Sequence, residues 1–161
     1  MNLKERTHNT VQNGSDDEIE RLVSEEPRAV RYTLGLTYRE DSGVRKRAAR
    51  AVALAARHHP ALVQNVIRRL VWAMNDESGT NGTTSPEVLQ AIADEVPELL
   101  VPMVPDIVRL SAEPELHEGL AAVLLTVSLR CPGEIARQLA ESLNEGKCSK
   151  TPGSERPRRY R

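Results

Sequence analysis

The residues best equipped for chemistry lie in one stretch, WAMNDESGTNGTTSPEV at 72–88, where Asn75, Asp76 and Glu77 follow an apolar run and precede a Gly- and Thr-rich gap. Carboxylates this close together could hold a cation, donate a proton, or end one helix before the next begins. Read as a calcium loop, Asp76, Ser78, Thr80 and Glu87 take the first, third, fifth and twelfth positions. The sixth position, where such a loop turns on Gly, is Asn81, and only Asp76 and Glu87 would bring charge, so the spacing disfavours a metal. General-acid work needs a pocket and a partner that shift a carboxyl pKa, and the sequence places neither beside Asp76 or Glu77. A helix connection explains the residues more simply. Ser85 suits an N-cap, Pro86 the first helical position, and Glu87 the positive end of the new helix, while Gly79 and Gly82 permit a positive φ. Trp72, Asn75, Asp76 and Glu77 stay as candidate partner-binding residues on an irregular connection.

The remaining reactive types do not converge. His58 and His59 are adjacent, so their side chains point apart and a shared metal is not expected; His8 and His117 lie elsewhere. Cys131 ends a helical run and Cys148 sits in a polar tail, which suggests reduced, unpaired thiols and no zinc site. No Cys/His nucleophile pair and no glycine-rich phosphate loop can be placed. The expectation is therefore a protein without catalytic residues, metal or cofactor.

The positioning elements follow from composition and period. The chain has 161 residues, 2% aromatic content, no Phe, 9 Gly and 10 Pro, with Ala, Leu, Val, Arg and Glu dominant. That is the composition of one all-α domain. Residues 1–14 are polar and aperiodic and are expected to form a disordered N-terminal arm; 15–145 form the folded domain; 146–161, GKCSKTPGSERPRRYR, are expected to form a disordered basic tail. No apolar run reaches membrane-helix length and the N-terminus lacks a signal-peptide centre, so no membrane association and a cytoplasmic location are expected. Four prolines, Pro27, Pro60, Pro97 and Pro132, stand 33, 37 and 35 residues apart, each between two runs with apolar residues at helical spacing. Each proline suits the first turn of a second helix, so each unit reads as a helix pair. The first unit opens on a Ser15-x-x-Glu18 capping box and is expected to act as an end cap. The third unit has a shortened first helix, and Pro102 and Pro105 predict a break within 97–112.

Units two and four align without a gap. DSGVRKRAARAVALAARHHP at 41–60 and EPELHEGLAAVLLTVSLRCP at 113–132 set Val44 opposite Leu116, Ala48 opposite Leu120, Ala51 opposite Val123 and Pro60 opposite Pro132. The Asp-x-x-Val-Arg-x-x-Ala-x-x-Ala pattern in DSGVRKRAARA resembles a HEAT repeat, in particular the short HEAT-like repeats grouped with phycobilisome lyases. The resemblance covers about 130 residues and implies an α-solenoid of about four HEAT-like helix pairs. It also implies an alternative function, an accessory subunit or lyase-like enzyme acting on a bound tetrapyrrole. HEAT-like folds further include DNA glycosylases with an aromatic and carboxylate cleft, which Trp72 and Asp76, one helical turn apart, could mimic in part.

Charge points to a partner. The chain carries a net charge of −1, yet 42–75 hold seven Lys or Arg and no acid, whereas 76–118 hold ten acids against Arg109 alone. Lys46, Arg50 and Arg57 recur at four and seven residues along one helical stripe. Such a stripe is either a solvated face with pairs between adjacent helices or a patch that steers an acidic protein segment. The reading adopted is a non-enzymatic interaction scaffold that presents Lys46, Arg50 and Arg57 to an acidic partner. Self-association of a basic unit with an acidic one would use the same physics. Nucleic acid is disfavoured, because the acidic unit would repel a duplex even though RPRRYR at 156–161 is basic.

Overall fold

The computed structural model describes residues 1–75 and 82–148, and among them every regular element is helical. The α-helices are α1 (Leu3–Asn13), α2 (Asp16–Glu25), α3 (Ala29–Leu36), α4 (Ser42–His58), α5 (Pro60–Ala73), α6 (Ser85–Glu95), α7 (Val104–Leu110), α8 (Pro114–Arg130) and α9 (Pro132–Cys148). Two 3-10 turns, Pro97–Leu99 and Val101–Met103, separate α6 from α7, in keeping with the break expected from Pro102 and Pro105. No single helix among the described residues is long and apolar enough to cross a membrane.

The recurring prolines set the corners. Glu26, His59, Val96 and Cys131 each precede one of them, and all four adopt φ between −125° and −138° with ψ between 51° and 83°. A following proline ring excludes the α region for the residue before it, so the first helix of each unit must stop there. The chain then turns into α3, α5, the 3-10 segment or α9. The earlier helices pack in chain order, α2 against α4, α4 against α6, and α6 against α8. α4 is central to this row. Its segment Ala48–Ala56 is buried at every position but Arg50, because alanines let neighbours approach from several sides at once. Asp41 starts it by accepting the Val44 N–H at 3.0 Å.

The amino-terminal residues correct the expectation of a disordered arm. They form α1, opened by a capping box between Asn2 and Glu5, and α1 packs on α2, α3 and α4. Thr7 and Val11, one turn apart, are fully buried. Arg47 of α4 donates to the Val11 carbonyl at 2.6 Å and also to the Gly14 carbonyl, which ties down the end of α1. An apolar stripe of so few residues is too sparse to register as periodicity, but Asn-x-x-Glu was a usable signal. α1 rather than α2 therefore covers this end of the molecule. At the other end α9 extends through Cys148, beyond the expected boundary at 145. The rest of the expected tail, 149–161, lies outside the described residues.

Two further details differ from expectation. Ser85 is not the N-cap of α6; Thr84 occupies that position, and Ser85 Oγ is buried without a hydrogen-bond partner among the described residues. Gly82 is needed for closeness rather than for a positive φ, since a Cβ there would stand 2.6 Å from the Ala73 carbonyl oxygen.

Candidate functional site

The stripe on α4 meets acids on both sides. Arg50 donates to Glu95 of α6 and lies 3.5 Å from Asp16 of α2; Arg57 reaches Glu95 at 2.5 Å and Glu20 of α2 at 3.4 Å. His58 adds a 3.0 Å contact to Glu20, and Arg45 bridges to Glu87 of α6 at 3.3 Å. Because α2 and α6 flank α4, guanidinium groups along one edge of α4 reach acids from both neighbouring units. Glu95 is the hub, with its side chain only 11% exposed. Burial pushes its carboxyl pKa up, but the Arg50 hydrogen bond and the charges of Arg50 and Arg57 outweigh burial and hold it below the usual glutamate range. Glu95 in turn raises Arg50, and the His58 hydrogen bond leads the interactions that lower Glu20.

Two of the three stripe residues are thus engaged within the molecule, in the interhelical pairing that was the other outcome of the sequence pattern. Lys46 is exposed and has no ion pair among the described residues. Trp72 is 61% exposed on α5. Asn75 is half-buried just past the end of α5. Asp76 and Glu77, and with them Gly79 and Asn81, lie outside the described residues. Stripe and loop residues do not converge on one site.

A different surface does assemble cations with apolar side chains. A depression of about 400 Å³ between α3 and α5 has a floor of Val30, Leu34 and Val66, with Leu62 on its wall. A second, of about 270 Å³, shares Leu34, Val66 and Arg69 with the first and continues to Tyr38 and Trp72. A third shares Arg31 and Tyr32 and runs on to Lys4, His8 and Arg39. The third lies between α1 and α3, while the first two adjoin and form a groove along α3 and α5. Its lining holds Arg28, Arg31 and Arg69 around the apolar centre and contains no carboxylate. None of these three arginines has an ion pair among the described residues, in contrast to Arg50 and Arg57. His8 lines the third depression, on the α1 side of α3. Burial lowers its pKa, and the positive charges of Lys4 and Arg39 add to that.

Sequence reasoning had not singled out Arg28, Arg31, Tyr32, Tyr38 or Arg69. A signal existed: Leu62, Asn65, Arg69 and Trp72 repeat at three and four residues on α5, and neither α3 nor α5 contains Asp or Glu. The groove is large enough for side chains but lacks the convergent titratable groups of a reaction centre. Among the described residues no cluster of His, Cys, Asp or Glu could hold a metal ion. Cys131 is a buried free thiol, its pKa raised by burial. No protein-family model matches the chain, and comparisons with curated proteins and with solved structures find no similar protein.

Proposed function

We propose that this chain is a cytoplasmic, non-enzymatic interaction scaffold, built as a HEAT-like α-solenoid, that binds an acidic amphipathic segment of a partner protein along the α3–α5 groove. The repeat reading is supported by the packing of α2, α4, α6 and α8 in chain order and by the shared backbone of the four residues that precede prolines. The observation that carries the functional reading is the contrast in pairing. Arg45, Arg50 and Arg57 of α4 are matched by acids of α2 and α6, whereas Arg28, Arg31 and Arg69 surround an apolar groove without a carboxylate. The acidic partner expected from sequence keeps its chemistry but moves from the α4 stripe to the neighbouring second helices. Apolar side chains of a docked helix would fill the trough at the usual i, i+3 and i+4 positions, and its acids would meet the arginines on the rim.

The single tryptophan supplies the readout. A displayed library of helical peptides, selected on the full chain, should enrich sequences with one apolar face flanked by Asp and Glu. Their binding should shield Trp72 from acrylamide and weaken with salt. An Arg31→Glu/Arg69→Glu variant of equal helicity should bind them at least about 10-fold more weakly, since like charges then face each other. Neutral or basic selected sequences, unchanged binding to the variant, or protection of Trp72 by single-stranded DNA or RNA in place of peptides would overturn the proposal.

A further inference from the structure

The apolar outer face of α8 repeats a helix-bearing surface found elsewhere in the chain. On α4, residues 45, 49, 53 and 57 form an i, i+4 ridge. Arg45 and Arg57 at its ends bond Glu87 and Glu95 of α6, and Ala49 and Ala53 between them are buried. The equivalent ridge on α8, 72 residues later in the gapless alignment, is His117, Ala121, Leu125 and Leu129. All four are exposed, Leu125 at 61% and Leu129 at 73%. α8 also buries Leu116, Leu120, Val123 and Val127 on its inner side, so it is apolar on two sides while α6 occupies one. A helix apolar on two sides is built to be covered on both.

We infer that a second copy of this chain covers it, with the two α8 helices packed antiparallel about a two-fold axis near Leu125. The residues 149–161 contain no Ala, Val, Leu, Ile, Met or Phe, so that segment cannot supply an apolar covering stripe. The opposite end of the molecule cannot accept the stripe either, because α1 presents Lys4, Glu5, Asn9 and Gln12 outward. That favours pairing of like faces, a closed arrangement, over an open head-to-tail chain. The α8 surface is self-complementary. With Leu125 on the axis, Leu129 of each copy falls over Ala121 of the other. Glu118 stands seven residues from Leu125, so antiparallel pairing keeps its two copies about 20 Å apart, where parallel pairing would set them side by side. One helix face with a neighbouring stripe of Leu139 and Leu143 is a small interface, so the dimer should be reversible.

Sedimentation velocity on the full chain over a concentration series tests this, with circular dichroism to establish equal helicity of the variants. Wild type should move from 17.9 kDa at low concentration towards twice that mass in the high-micromolar range. Leu125→Glu should stay monomeric throughout, since it sets two carboxylates against each other at the axis. A wild type that remains monomeric to about 0.5 mM, far above the micromolar scale of weak complexes, overturns the inference. So does a Leu125→Glu variant that dimerises like wild type, growth beyond two copies, or dissociation caused only by Leu139→Glu, which would put the contact on α9.

Discussion

Removal of the Glu95 carboxylate should loosen two helix contacts at once. Glu95 is 11% exposed and receives Arg50 and Arg57, whose side chains are 37% and 46% exposed. Two charge-assisted hydrogen bonds in a dry site would contribute about 3 to 6 kcal/mol together. The exposure of both arginines screens that figure, and Asp16 and Glu20 keep partial hold of them, so about 2 kcal/mol is expected for Glu95→Ala. For a domain of this size that is a fall of roughly 4–8 °C in Tm. Glu95→Gln retains the shape and one acceptor and should cost about half as much. Urea unfolding followed by circular dichroism, with an Arg50→Ala/Glu95→Ala double-mutant cycle, should give a coupling near 1 kcal/mol. The pH dependence has a definite sign. Because the folded-state pKa lies below the ordinary 4.5, the stabilisation is complete above 4.5 and is lost as pH falls through the depressed value. The difference between wild type and Glu95→Gln should therefore be flat from neutral pH down to about 5.5 and shrink below 4.5. A coupling under about 0.3 kcal/mol, or a difference that grows on acidification, would refute the account of Glu95 as the hub.

Three other predictions follow from particular contacts. Val11→Asp places a carboxylate at a fully buried position, so it should cost about 3 kcal/mol or more; a shift in the urea midpoint of the size seen at a flexible terminus would show that α1 is not part of the core. Gly119→Ala sets a Cβ 2.7 Å from Pro86 Cβ at the α6–α8 contact; despite the roughly 1 kcal/mol that Ala gains in helix propensity, thermal melts should show net destabilisation of about 1 kcal/mol, and a stabilised variant would mean the two helices separate freely. Iodide should quench Trp72 more strongly than caesium, with the gap closing in high salt, because Arg69 shares its cavity and Arg28 and Arg31 line the adjoining one; equal quenching by the two ions would contradict a positive groove.

The helical class and the corners were readable because they rest on local chemistry. A proline acts on the residue before it whatever lies around, so Glu26, His59, Val96 and Cys131 could be marked as helix ends without knowledge of packing. α1 was missed because its burial depends on two side chains and on an arginine 36 residues away in sequence, between Val11 and Arg47. The fate of Arg50 and Arg57 was missed for a related reason. Periodicity places them on one face of α4 but is silent about what stands opposite, and the opposing acids, Asp16, Glu20 and Glu95, are 34 to 45 residues distant.

That distance carries a general consequence for reading charge in a repeated helical chain. Wherever units recur every 33 to 37 residues, a cation and an acid separated by about one unit lie on adjacent helices and can neutralise each other. A local excess of one sign, such as the acid-free stretch 42–75, therefore says little about the field outside the molecule until residues one unit away are counted. Arg50 and Asp16, 34 residues apart, satisfy that condition, as do Arg57 and Glu20 at 37. Arg31 and Arg69 do not: they stand on second helices, and α3 and α5 contain no acid to offer either of them. Arg28, Arg31 and Arg69 thus stand without ion pairs among the described residues, and they do so where the apolar groove lies.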